Sequence, residues 1–551
     1  MSDLSGTVHE SFAASATRWS DHPFLAVTSG TAAAYGIEAR EYTYGQVAAE
    51  VARLRWGYEE AGFAHGDRAG LLLFNRPEFL FHWLALNALG VSVVPINPDW
   101  RADELAFLVG HSEIRAAVAP AERHAALGAA AGSASRALAL LSPDGSGLAA
   151  LAYDPRSSER PAAALETPSA TSECALLYTS GTTGRPKGCI LPNEYYLWAG
   201  HWYAGLGGLC EIRQGTERMI TPLPLTHMNA MACSAMCMML TGGCLVAVDR
   251  FHPGSWWDSV RESQATVMHY LGVMPAMLLS LPPSSRDREH GARFGFGAGV
   301  QPRHHAAFEE RFGVPLIEAW AMTETGAGGA VIANREPRQV GTACFGRPDD
   351  RVEFRVVDAS GDDVPAGEPG ELLVRRRGDR PRFGFFAGYL KDEPATTEAW
   401  RGGWLHTGDL VHENGAGQLH FVDRRKNLIR RSGENISAME IEGVLLQHPA
   451  VAAAGVTAVP DEIRGDEVMA CVVLKLASAA AADESLAREL VEFCLARLAY
   501  YKAPGYVSFC RGLPLTPTEK IQRGELKELG RRLLDDGACV DTRSLKKRSS
   551  A

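Results

Sequence analysis

The sequence predicts an α/β fold divided into at least two domains. A chain of 551 residues is longer than a single hydrophobic core usually supports. Residues 77–89 have apolar side chains at helical spacing, with proline at the start and Gly90 directly after the segment. Residues 91–96 and 266–271 are short apolar runs of the kind found in buried strands. Helices that alternate with buried strands indicate sheets covered by helices.

The domain boundary is predicted where a strand-like segment, residues 419–422, ends in charged residues. This gives an N-terminal domain of residues 1–425 and a C-terminal domain of residues 426–551 with its own α+β pattern. Residues 115–170 are rich in Ala, Ser, Pro and Gly, and they fit either a helix-and-strand unit or a surface excursion. The basic residues 543–551 are expected to form a solvated, frayed tail.

Composition and charge disfavour several classes of protein. The net charge of -10 argues against a general nucleic-acid binder, because phosphate backbones would be repelled. The 11 cysteines show neither CxxC pairs nor metal-ligand spacing, which indicates reduced thiols. The N-terminus lacks the features of a secretory signal, and the apolar run at residues 79–89 is too short to span a bilayer. We therefore expect a cytoplasmic protein without a transmembrane segment.

A loop rich in Gly, Ser and Thr follows a strand-like segment that ends at Tyr178. Glycines let the backbone approach a polyphosphate, and hydroxyl and N–H groups donate hydrogen bonds to its oxygens. A flexible hairpin tip is the alternative interpretation. The loop is not a Walker motif, because Gly184 is followed by Arg-Pro-Lys-Gly rather than by Gly-Lys-Ser/Thr and a helix. The residues predicted to contact phosphate are Thr179, Ser180, Gly181, Thr182, Thr183, Gly184 and Lys187.

This loop resembles the phosphate loop of the adenylate-forming superfamily, which includes acyl-CoA synthetases, adenylation domains of non-ribosomal peptide synthesis and luciferases. Further motifs extend the resemblance, in order, over nearly the whole chain. It implies a large N-terminal adenylation domain of several α/β subdomains and a small, mobile α+β C-terminal domain. It also implies that ATP, Mg²⁺ and coenzyme A are used.

Residues 320–324 resemble the family segment aromatic-Gly-x-Thr-Glu. The resemblance implies that Trp320 stacks near adenine, that Thr323 bonds a phosphate oxygen and that Glu324 holds Mg²⁺, a hard cation that prefers oxygen ligands. Trp320 stands where Tyr is commoner, and Ala321 stands where Gly is usual. On its own, a Thr-Glu pair is more often an ordinary helix start.

Two glycines and two ribose-contacting residues are assigned in the same way. Gly297 and Gly299 resemble the turn that borders adenine and the acyl pocket. Residues 407–409 match the family's Thr-Gly-Asp, so Asp409 is expected to accept hydrogen bonds from the ribose hydroxyls, although an isolated Gly-Asp is usually a turn. Arg424 is a second expected contact to ribose or phosphate, in a segment where Asp423 replaces the usual Gly.

The C-terminal domain supplies the remaining expected residues. Lys426 occupies the family's hinge position, about which the small domain is expected to rotate between two half-reactions. Gly433 and Glu434 resemble the loop that lines the tunnel for the CoA thiol. Lys520 resembles the lysine that neutralises charge between the carboxylate and the α-phosphate, with Glu519 where Gly is usual.

The acyl pocket is expected to involve His227 and aromatic residues. His227 lies in a segment that matches the family's Pro-Leu-x-His, and we expect it to line the pocket rather than to bind metal. Trp198, Trp202, Tyr203 and Trp320 could border the pocket, where aromatic faces attract a quaternary ammonium. Packing in the core is an equally good explanation of these aromatic side chains.

The resemblance implies a two-step ligase reaction. A carboxylate and ATP give an acyl-adenylate and pyrophosphate, and CoA then displaces AMP. Residues 75–97, 423–425 and 431–435 resemble the crotonobetaine/carnitine-CoA ligase branch, which suggests a small or betaine-type acid. The alternatives are an aryl or short-chain acyl-CoA ligase, a stand-alone adenylation domain that loads a carrier-protein thiol, and a non-catalytic adenylate sensor. We expect a monomer or homodimer.

Overall fold

Helices and strands alternate along the chain, so the predicted α/β class is confirmed. The computed structural model describes residues 5–151, 167–179, 186–300, 302–358, 360–424, 429–436, 438–475, 482–514, 521 and 523–547. The chain divides into two units. The first unit contains Met1–Pro98, Val109–Tyr178 and Gly188–Val422, and the second contains Asp99–Leu108, Thr179–Lys187 and Asp423–Ala551.

The α-helices are amphipathic or buried segments of two to five turns. They are α1 (Val8–Arg18), α2 (Ser29–Tyr35), α3 (Tyr44–Glu60), α4 (Pro77–Asn87), α5 (Ala102–Ser112), α6 (Ala121–Ser133), α7 (Asn193–Ala204), α8 (Met236–Thr241), α9 (Trp256–Glu262), α10 (Val273–Leu279), α11 (Pro302–Phe312), α12 (Glu393–Ala399), α13 (Ala438–Leu445), α14 (Glu484–Leu495) and α15 (Arg523–Asp535). Short 3-10 turns span Leu148–Ala150, Gly208–Cys210, Pro253–Ser255, Arg401–Gly403 and Arg543–Leu545, and a π-helix spans Asn229–Ala235. Within the described ranges, no helix has both the length and the apolar character needed to cross a bilayer.

The strands are short, and those of the parallel sheets are largely apolar. They are β1 (Pro23–Ala26), β2 (Glu41–Thr43), β3 (Arg68–Leu71), β4 (Ser92–Pro95), β5 (Ala116–Val118), β6 (Ala139–Leu141), β7 (Glu173–Thr179), β8 (Lys187–Pro192), β9 (Arg218–Thr221), β10 (Cys244–Ala247), β11 (Val267–Leu271), β12 (Phe294–Ala298), β13 (Leu316–Trp320), β14 (Val331–Ile332), β15 (Cys344–Gly346), β16 (Val352–Val357), β17 (Gly370–Arg376), β18 (Gly388–Tyr389), β19 (Leu405–Glu413), β20 (Leu419–Arg424), β21 (Ile429–Arg431), β22 (Glu434–Ile436), β23 (Val451–Asp461), β24 (Gly465–Leu474), β25 (Tyr506–Phe509) and β26 (Val540–Asp541).

Two of the sheets are mainly parallel. The first has the order β14-β13-β12-β11-β9-β10-β1-β2, with antiparallel strands only at its edges. The second has the order β18-β8-β7-β4-β3-β5-β6. All four residues of β4 are buried, as parallel strands between helical layers require. A third sheet, β15-β20-β19-β17-β16, is antiparallel where its register is defined.

The helix and strand predicted around Gly90 are confirmed. α4 begins with Pro77 at its first turn, where the missing N–H costs no hydrogen bond. Gly90 has a φ of 70°, which lets the chain turn directly into β4. A Cβ atom at this position would lie 2.4 Å from Cδ2 of His65. Farther along, residues 115–151 form the helix-and-strand unit β5-α6-β6, the first of the two interpretations left open, and residues 152–166 lie outside the described residues.

The second unit has its own sheet, ordered β22-β21-β24-β25-β26, with β23 also paired to β24. Antiparallel pairing of β23 and β24 runs from Val451 with Leu474 to Asp461 with Gly465. Buried Leu526 of α15 packs in an apolar cluster with Val459 and Met469. The boundary predicted at residues 425 and 426 stays a prediction, because residues 425–428 lie outside the described residues.

The expectation of a frayed tail is wrong for residues 543–547. Residues Arg543–Leu545 form a 3-10 turn, and the Lys546 side chain is fully buried. The Lys546 amine lies 2.5 Å from a carboxylate oxygen of Glu467, so a buried partner holds the basic segment in place. Residues 548–551 lie outside the described part of the chain.

A buried lysine also connects separate segments of the second unit. Nζ of Lys502 lies 2.5 Å from Oε1 of Glu104 and 2.8 Å from Oε1 of Glu440. Burial disfavours the ammonium, but the two carboxylates outweigh burial and hold the pKa of Lys502 above its usual range. Lys502 therefore neutralises two carboxylates that have little access to water.

We expect Lys502→Met to lower the free energy of unfolding of the second unit by about 3–5 kcal/mol, because it leaves buried carboxylates without their cation. Urea denaturation, monitored by hydrogen exchange of the β24 amides, measures this loss. The matched control is Lys475→Met at an exposed position, which should change stability by less than about 0.5 kcal/mol. Equal effects of the two substitutions would contradict the assignment.

Candidate active site

Two neighbouring parallel strands end in predicted site residues. β12 ends at Ala298, between Gly297 and Gly299, and β13 ends at Trp320. Gly297 pairs in register with Glu318, so both strands leave the sheet at the same edge. Ligands of open α/β sheets bind outside the carboxyl ends of parallel strands. The segments predicted to border adenine and to bind phosphate therefore lie side by side.

A buried carboxylate fixes the turn after β12. Oε2 of Glu318 accepts the N–H of Gly299 at 2.9 Å, and Oε1 accepts the N–H of Val300 at 3.1 Å. The hydroxyl of Tyr270 donates to Oε1 at 2.7 Å. Gly299 has a φ of 77°, and a Cβ on Gly297 would lie 2.2 Å from the carbonyl oxygen of Tyr270. Gly297 is therefore needed for the close approach of the Tyr270 backbone, and Gly299 for its left-handed backbone conformation.

The predicted adenine and ribose motifs meet through a hydrogen bond. Nε1 of Trp320 donates to Oδ2 of Asp409 at 2.9 Å, although the two residues are 89 positions apart. Trp320 is 6% exposed and Asp409 is 1% exposed. The ring of Trp320 also stacks on Phe345, with centroids 5.9 Å apart. An indole at this position supplies a donor that holds the predicted ribose acceptor.

The backbone around Asp409 is fixed by its neighbours on β19. The N–H of Asp409 donates to Oγ1 of Thr407, whose hydroxyl donates to the carbonyl of Leu372 at 2.7 Å. The N–H of Gly408 donates to Oε1 of Glu371 at 3.1 Å, and Gly408 has a φ of 68°. The Thr-Gly-Asp sequence thus places a left-handed backbone conformation within β19. A residue with a side chain at position 408 would strain the backbone there.

Glu324 is buried, and one of its carboxylate oxygens is already hydrogen-bonded. The hydroxyl of Tyr389 donates to Oε1 of Glu324 at 2.9 Å. Burial and the Glu324 carboxylate raise the pKa of Tyr389, so this hydroxyl stays protonated as a donor. No described residue donates to Oε2 of Glu324. The hydroxyl of Tyr195 donates to the carbonyl of Thr323 at 2.9 Å and fixes the neighbouring backbone.

His227 is exposed and stands just before the π-helix. The first π-helical residue, Asn229, contacts Nδ1 of the buried His269 through its Oδ1 at 2.7 Å. The hydroxyl of Ser234 lies 2.9 Å from the same nitrogen, and the hydroxyl of Tyr203 lies 2.9 Å from Nε2. π-helical turns often occur at functional sites. The His269 network therefore fixes the start and the end of the segment that follows His227.

We expect the buried His269 to make the first unit acid-sensitive. Burial lowers the pKa of His269 to about 3, below its unfolded value of 6.5. The unfolded chain therefore binds more protons between these values, and stability is lost as the pH falls from about 6.5 towards 3. Between pH 7.5 and pH 5, this histidine should lower the free energy of unfolding by about 2 kcal/mol.

Urea denaturation at the two pH values measures this loss in the wild type. His269→Gln should remove about 2 kcal/mol of the pH dependence. His252→Gln is the control, because the side chain of His252 is 43% exposed. An unchanged pH dependence in His269→Gln would contradict the role of this histidine.

The two tryptophans predicted in the acyl pocket have different surroundings. Nε1 of Trp198 donates to the carbonyl of Ala327 at 3.0 Å, and the Arg376 guanidinium lies 4.3 Å from the Trp198 ring centroid. A protein cation already occupies this ring, which disfavours Trp198 as the receptor for a quaternary ammonium. Trp202 packs edge-on against Phe296 of β12, at 6.3 Å between centroids. Trp202 therefore packs against the residue that precedes Gly297, and both pocket assignments stay predictions.

The remaining assigned residues lie at element ends or outside the described residues. Thr179 is the last residue of β7, and Lys187 is the first residue of β8. Ser432 and Gly433, with φ of 51° and 88°, form the turn between Arg431 and Glu434, which pair in register. Arg424 closes β20, and only its backbone is described. The assigned residues outside the described part are Ser180, Gly181, Thr182, Thr183, Gly184, Lys426 and Lys520.

Comparison with known proteins decides the family. The family model described as AMP-binding enzyme matches residues 12–390, and the model of the AMP-binding enzyme C-terminal domain matches residues 440–520. The chain belongs to the AMP-binding enzyme family. The predicted superfamily is therefore confirmed.

Relatives of this AMP-binding enzyme include crotonobetaine/carnitine–CoA ligases. The protein from Salmonella paratyphi B is 30% identical over 497 residues, which cover 89% of this chain and 93% of the relative. The protein from Shigella sonnei is 30% identical over 503 residues, which cover 89% and 94%. The chain is thus a member of the AMP-forming acyl-CoA ligase family.

Solved structures share the fold of this AMP-binding enzyme. The o-succinylbenzoate CoA synthetase from Bacillus subtilis, bound to a product analogue, aligns with a TM-score of 0.78 at 24% identity, over 95% of this chain and 99% of that chain. The amide bond synthetase from Marinactinospora thermotolerans aligns with a TM-score of 0.76 at 24% identity, over 94% and 99%. At this level of identity the alignments support the fold.

Sequence reasoning missed several residues that hold this site of the AMP-binding enzyme. Glu318, Tyr270, Tyr389, Tyr195 and Glu371 carry no motif, and their partners are distant in sequence. Glu318 had a usable signal. It is a lone carboxylate in an apolar strand, two positions before Trp320, and alternation along a strand places the two side chains on one face.

Proposed function

We propose that this protein is a carboxylic acid–CoA ligase that forms an acyl-adenylate from ATP and transfers the acyl group to the thiol of CoA. The observation that carries the proposal is the buried pair of Trp320 and Asp409 beside the strand ends that carry Gly299 and Glu324. This arrangement offers a ribose acceptor, an adenine-bordering turn and a carboxylate for phosphate-bound metal at one sheet edge.

The first half-reaction is an attack of the carboxylate on the α-phosphorus of ATP, which releases pyrophosphate. Asp409 orients the ribose, and Arg424 contacts ribose or phosphate. Thr179, Lys187 and the loop between them hold the phosphates, while Lys520 neutralises charge between the carboxylate and the α-phosphate. Positioning and charge neutralisation can supply most of the rate enhancement in such an in-line displacement.

Mg²⁺ fits the chemistry of Glu324. Oε2 of Glu324 has no donor among the described residues, and Mg²⁺ usually takes one or two carboxylates together with substrate phosphates and water. No cluster of three or more His, Cys, Asp or Glu in the described ranges could hold a metal by itself. Glu324 would therefore hold Mg²⁺ jointly with ATP, and the ion would offset the negative charge of the phosphates.

The second half-reaction places the CoA thiol at the acyl carbonyl and releases AMP. Gly433 and Glu434 are proposed to contact the pantetheine arm, and Lys426 is proposed as the hinge between domains 1–425 and 426–551. His227 is proposed to line the acyl pocket. None of the 11 cysteines, all of them among the described residues, forms a disulfide, which supports activity in the reducing cytoplasm.

For the acid, we propose a small carboxylate, with betaine-type acids tested first. The names of the relatives support this choice. Trp202, Tyr203 and Phe296 pack together in the buried core beside Gly297. The Arg376 guanidinium on Trp198 argues against this ring as the ammonium receptor. Aryl and short-chain acids are the alternative substrates.

The test measures pyrophosphate release from ATP, in the presence of Mg²⁺, with carnitine, crotonobetaine, benzoate or a short-chain acid. The controls omit either ATP or the acid. Release that needs both ATP and one acid supports the ligase. No release with any acid contradicts it and favours an adenylate sensor. Mass spectrometry after addition of CoA should show the matching thioester, and its absence despite pyrophosphate release would favour a carrier-protein thiol as acceptor.

A further inference from the structure

The chain continues beyond the matched C-terminal family domain with an ordered segment. That match ends at residue 520, whereas α15 begins at Arg523 and β26 spans Val540–Asp541. β26 pairs antiparallel with β25. Thr542 donates its N–H to the carbonyl of Gly505 at 2.9 Å and its hydroxyl to that of Pro504 at 3.0 Å. These contacts dock the segment onto the second unit.

Docking of this segment buries Lys546 against Glu467. Nζ of Lys546 lies 2.5 Å from Oε1 of Glu467, and Nε of Arg431 lies 2.9 Å from Oε1 and 2.8 Å from Oε2. The side chains of Lys546 and Glu467 are 0% exposed, and that of Arg431 is 3% exposed. A Cβ on Gly505 would lie 2.4 Å from Cδ of Glu467, so the chain is shaped around this carboxylate.

The amine contributes to this cluster as a hydrogen-bond donor. Burial and the Arg431 guanidinium lower the pKa of Lys546 to about 7. Lys546 can donate an N–H to Glu467 whether or not it carries the extra proton. Glu467 is thus held between two donors, and the N–H of Val468 donates to its Oε1 at 2.9 Å.

Arg431 directly precedes the turn of the hairpin proposed to contact pantetheine. β21 and β22 each have three residues, and only Ser432 and Gly433 separate them. β21 joins the rest of the sheet through the register pair of Arg431 with Gly465. The pair of Arg431 with Glu434 is the one next to the turn, so the buried ion pair of Arg431 with Glu467 anchors the turn end of the hairpin to β24.

We propose that Lys546 is a positioning residue for acyl transfer to CoA. Lys546 holds the carboxylate of Glu467, and this carboxylate holds the guanidinium of Arg431. Arg431 in turn holds the turn from Ser432 to Glu434 in place. The inference rests on the proposed function and adds a residue outside the matched family domain. A shift of about 1 Å at a positioning segment can lower a rate by about a hundredfold. Loss of Lys546 should therefore affect the half-reaction that uses this turn and spare the other.

The experiment separates the two half-reactions in Lys546→Met, which removes the amine and keeps the aliphatic chain. Single-turnover pyrophosphate release without CoA should stay within about twofold of wild type. Thioester formation from supplied acyl-adenylate should fall at least about tenfold, with a raised KM for CoA. Arg543→Gln is the matched control on the same 3-10 turn, where the guanidinium is 44% exposed, and both half-reactions should be unchanged.

Lys546→Gln keeps an N–H donor and serves as a second variant in case Lys546→Met folds poorly. Its rate of thioester formation should lie between those of wild type and Lys546→Met. Equal loss of both half-reactions, or loss of neither, would overturn the positioning role. If the wild type releases pyrophosphate but Lys546→Met affects the two half-reactions alike, this inference alone is overturned. If the wild type releases no pyrophosphate, the proposed function is overturned and this role with it.

Discussion

Lys520→Ala should lower the rate of acyl-adenylate formation by about two to three orders of magnitude. A lysine that neutralises charge developing between the carboxylate and the α-phosphate acts in the transition state, and removal of one such group typically costs that much. Thioester formation from supplied acyl-adenylate should change by less than about threefold, because no phosphate is being displaced from ATP in that step. Single-turnover pyrophosphate release and thioester formation are the two measurements.

The control for Lys520 is Lys475→Ala, which removes an exposed lysine of the same unit and should leave both rates unchanged. Lys520→Arg tests the geometry, since a guanidinium keeps the charge but presents it differently. If Lys520→Ala slows both half-reactions equally, the assignment of Lys520 to the first step is wrong. Glu519, which replaces the usual glycine beside this lysine, would then be the next position to vary.

Asp409→Ala should lower kcat/KM for ATP by about a hundredfold or more. The carboxylate is proposed to accept both ribose hydroxyls, and each hydrogen bond to a charged group contributes about 1.5–3 kcal/mol. Tenfold in affinity corresponds to about 1.4 kcal/mol. Trp320→Phe removes only the indole N–H that donates to Oδ2 of Asp409, and it should cost about tenfold or less.

A double-mutant cycle tests whether Trp320 acts through Asp409. If it does, Trp320→Phe should have little further effect in the Asp409→Ala background. Asp363→Ala, whose side chain is 65% exposed, is the matched control and should leave kcat/KM unchanged. A full additional loss from Trp320→Phe in the cycle would show that the indole has an independent role, such as stacking on adenine.

Local sequence patterns predicted the parts of the fold that are set locally. The helix at residues 77–89 was predictable because Pro77 and Gly90 mark its ends and apolar residues fill its faces. The α/β class followed from the same alternation. The π-helix at Asn229–Ala235 was not predicted, because no local pattern distinguishes it from an α-helix and its contacts to His269 come from a distant part of the chain.

The site was predictable where a motif carries it and unpredictable where a single distant side chain supports it. Asp409 and Trp320 lie in recognisable segments, but their hydrogen bond depends on two sheets meeting. Tyr389 supports Glu324 from 65 positions away and belongs to no motif. The tail was misjudged because charge density in sequence indicates solvation, whereas Lys546 is buried by one distant carboxylate.

The burial of Lys546 also sets an order of events during synthesis. Glu467 and Arg431 leave the ribosome well before residue 546, so for that interval the carboxylate has only one of its two side-chain partners. N-terminal portions of a growing chain generally fold first. The second unit should therefore reach its final packing last. Its strand β24 should become protease-resistant only after residue 546 has left the exit tunnel.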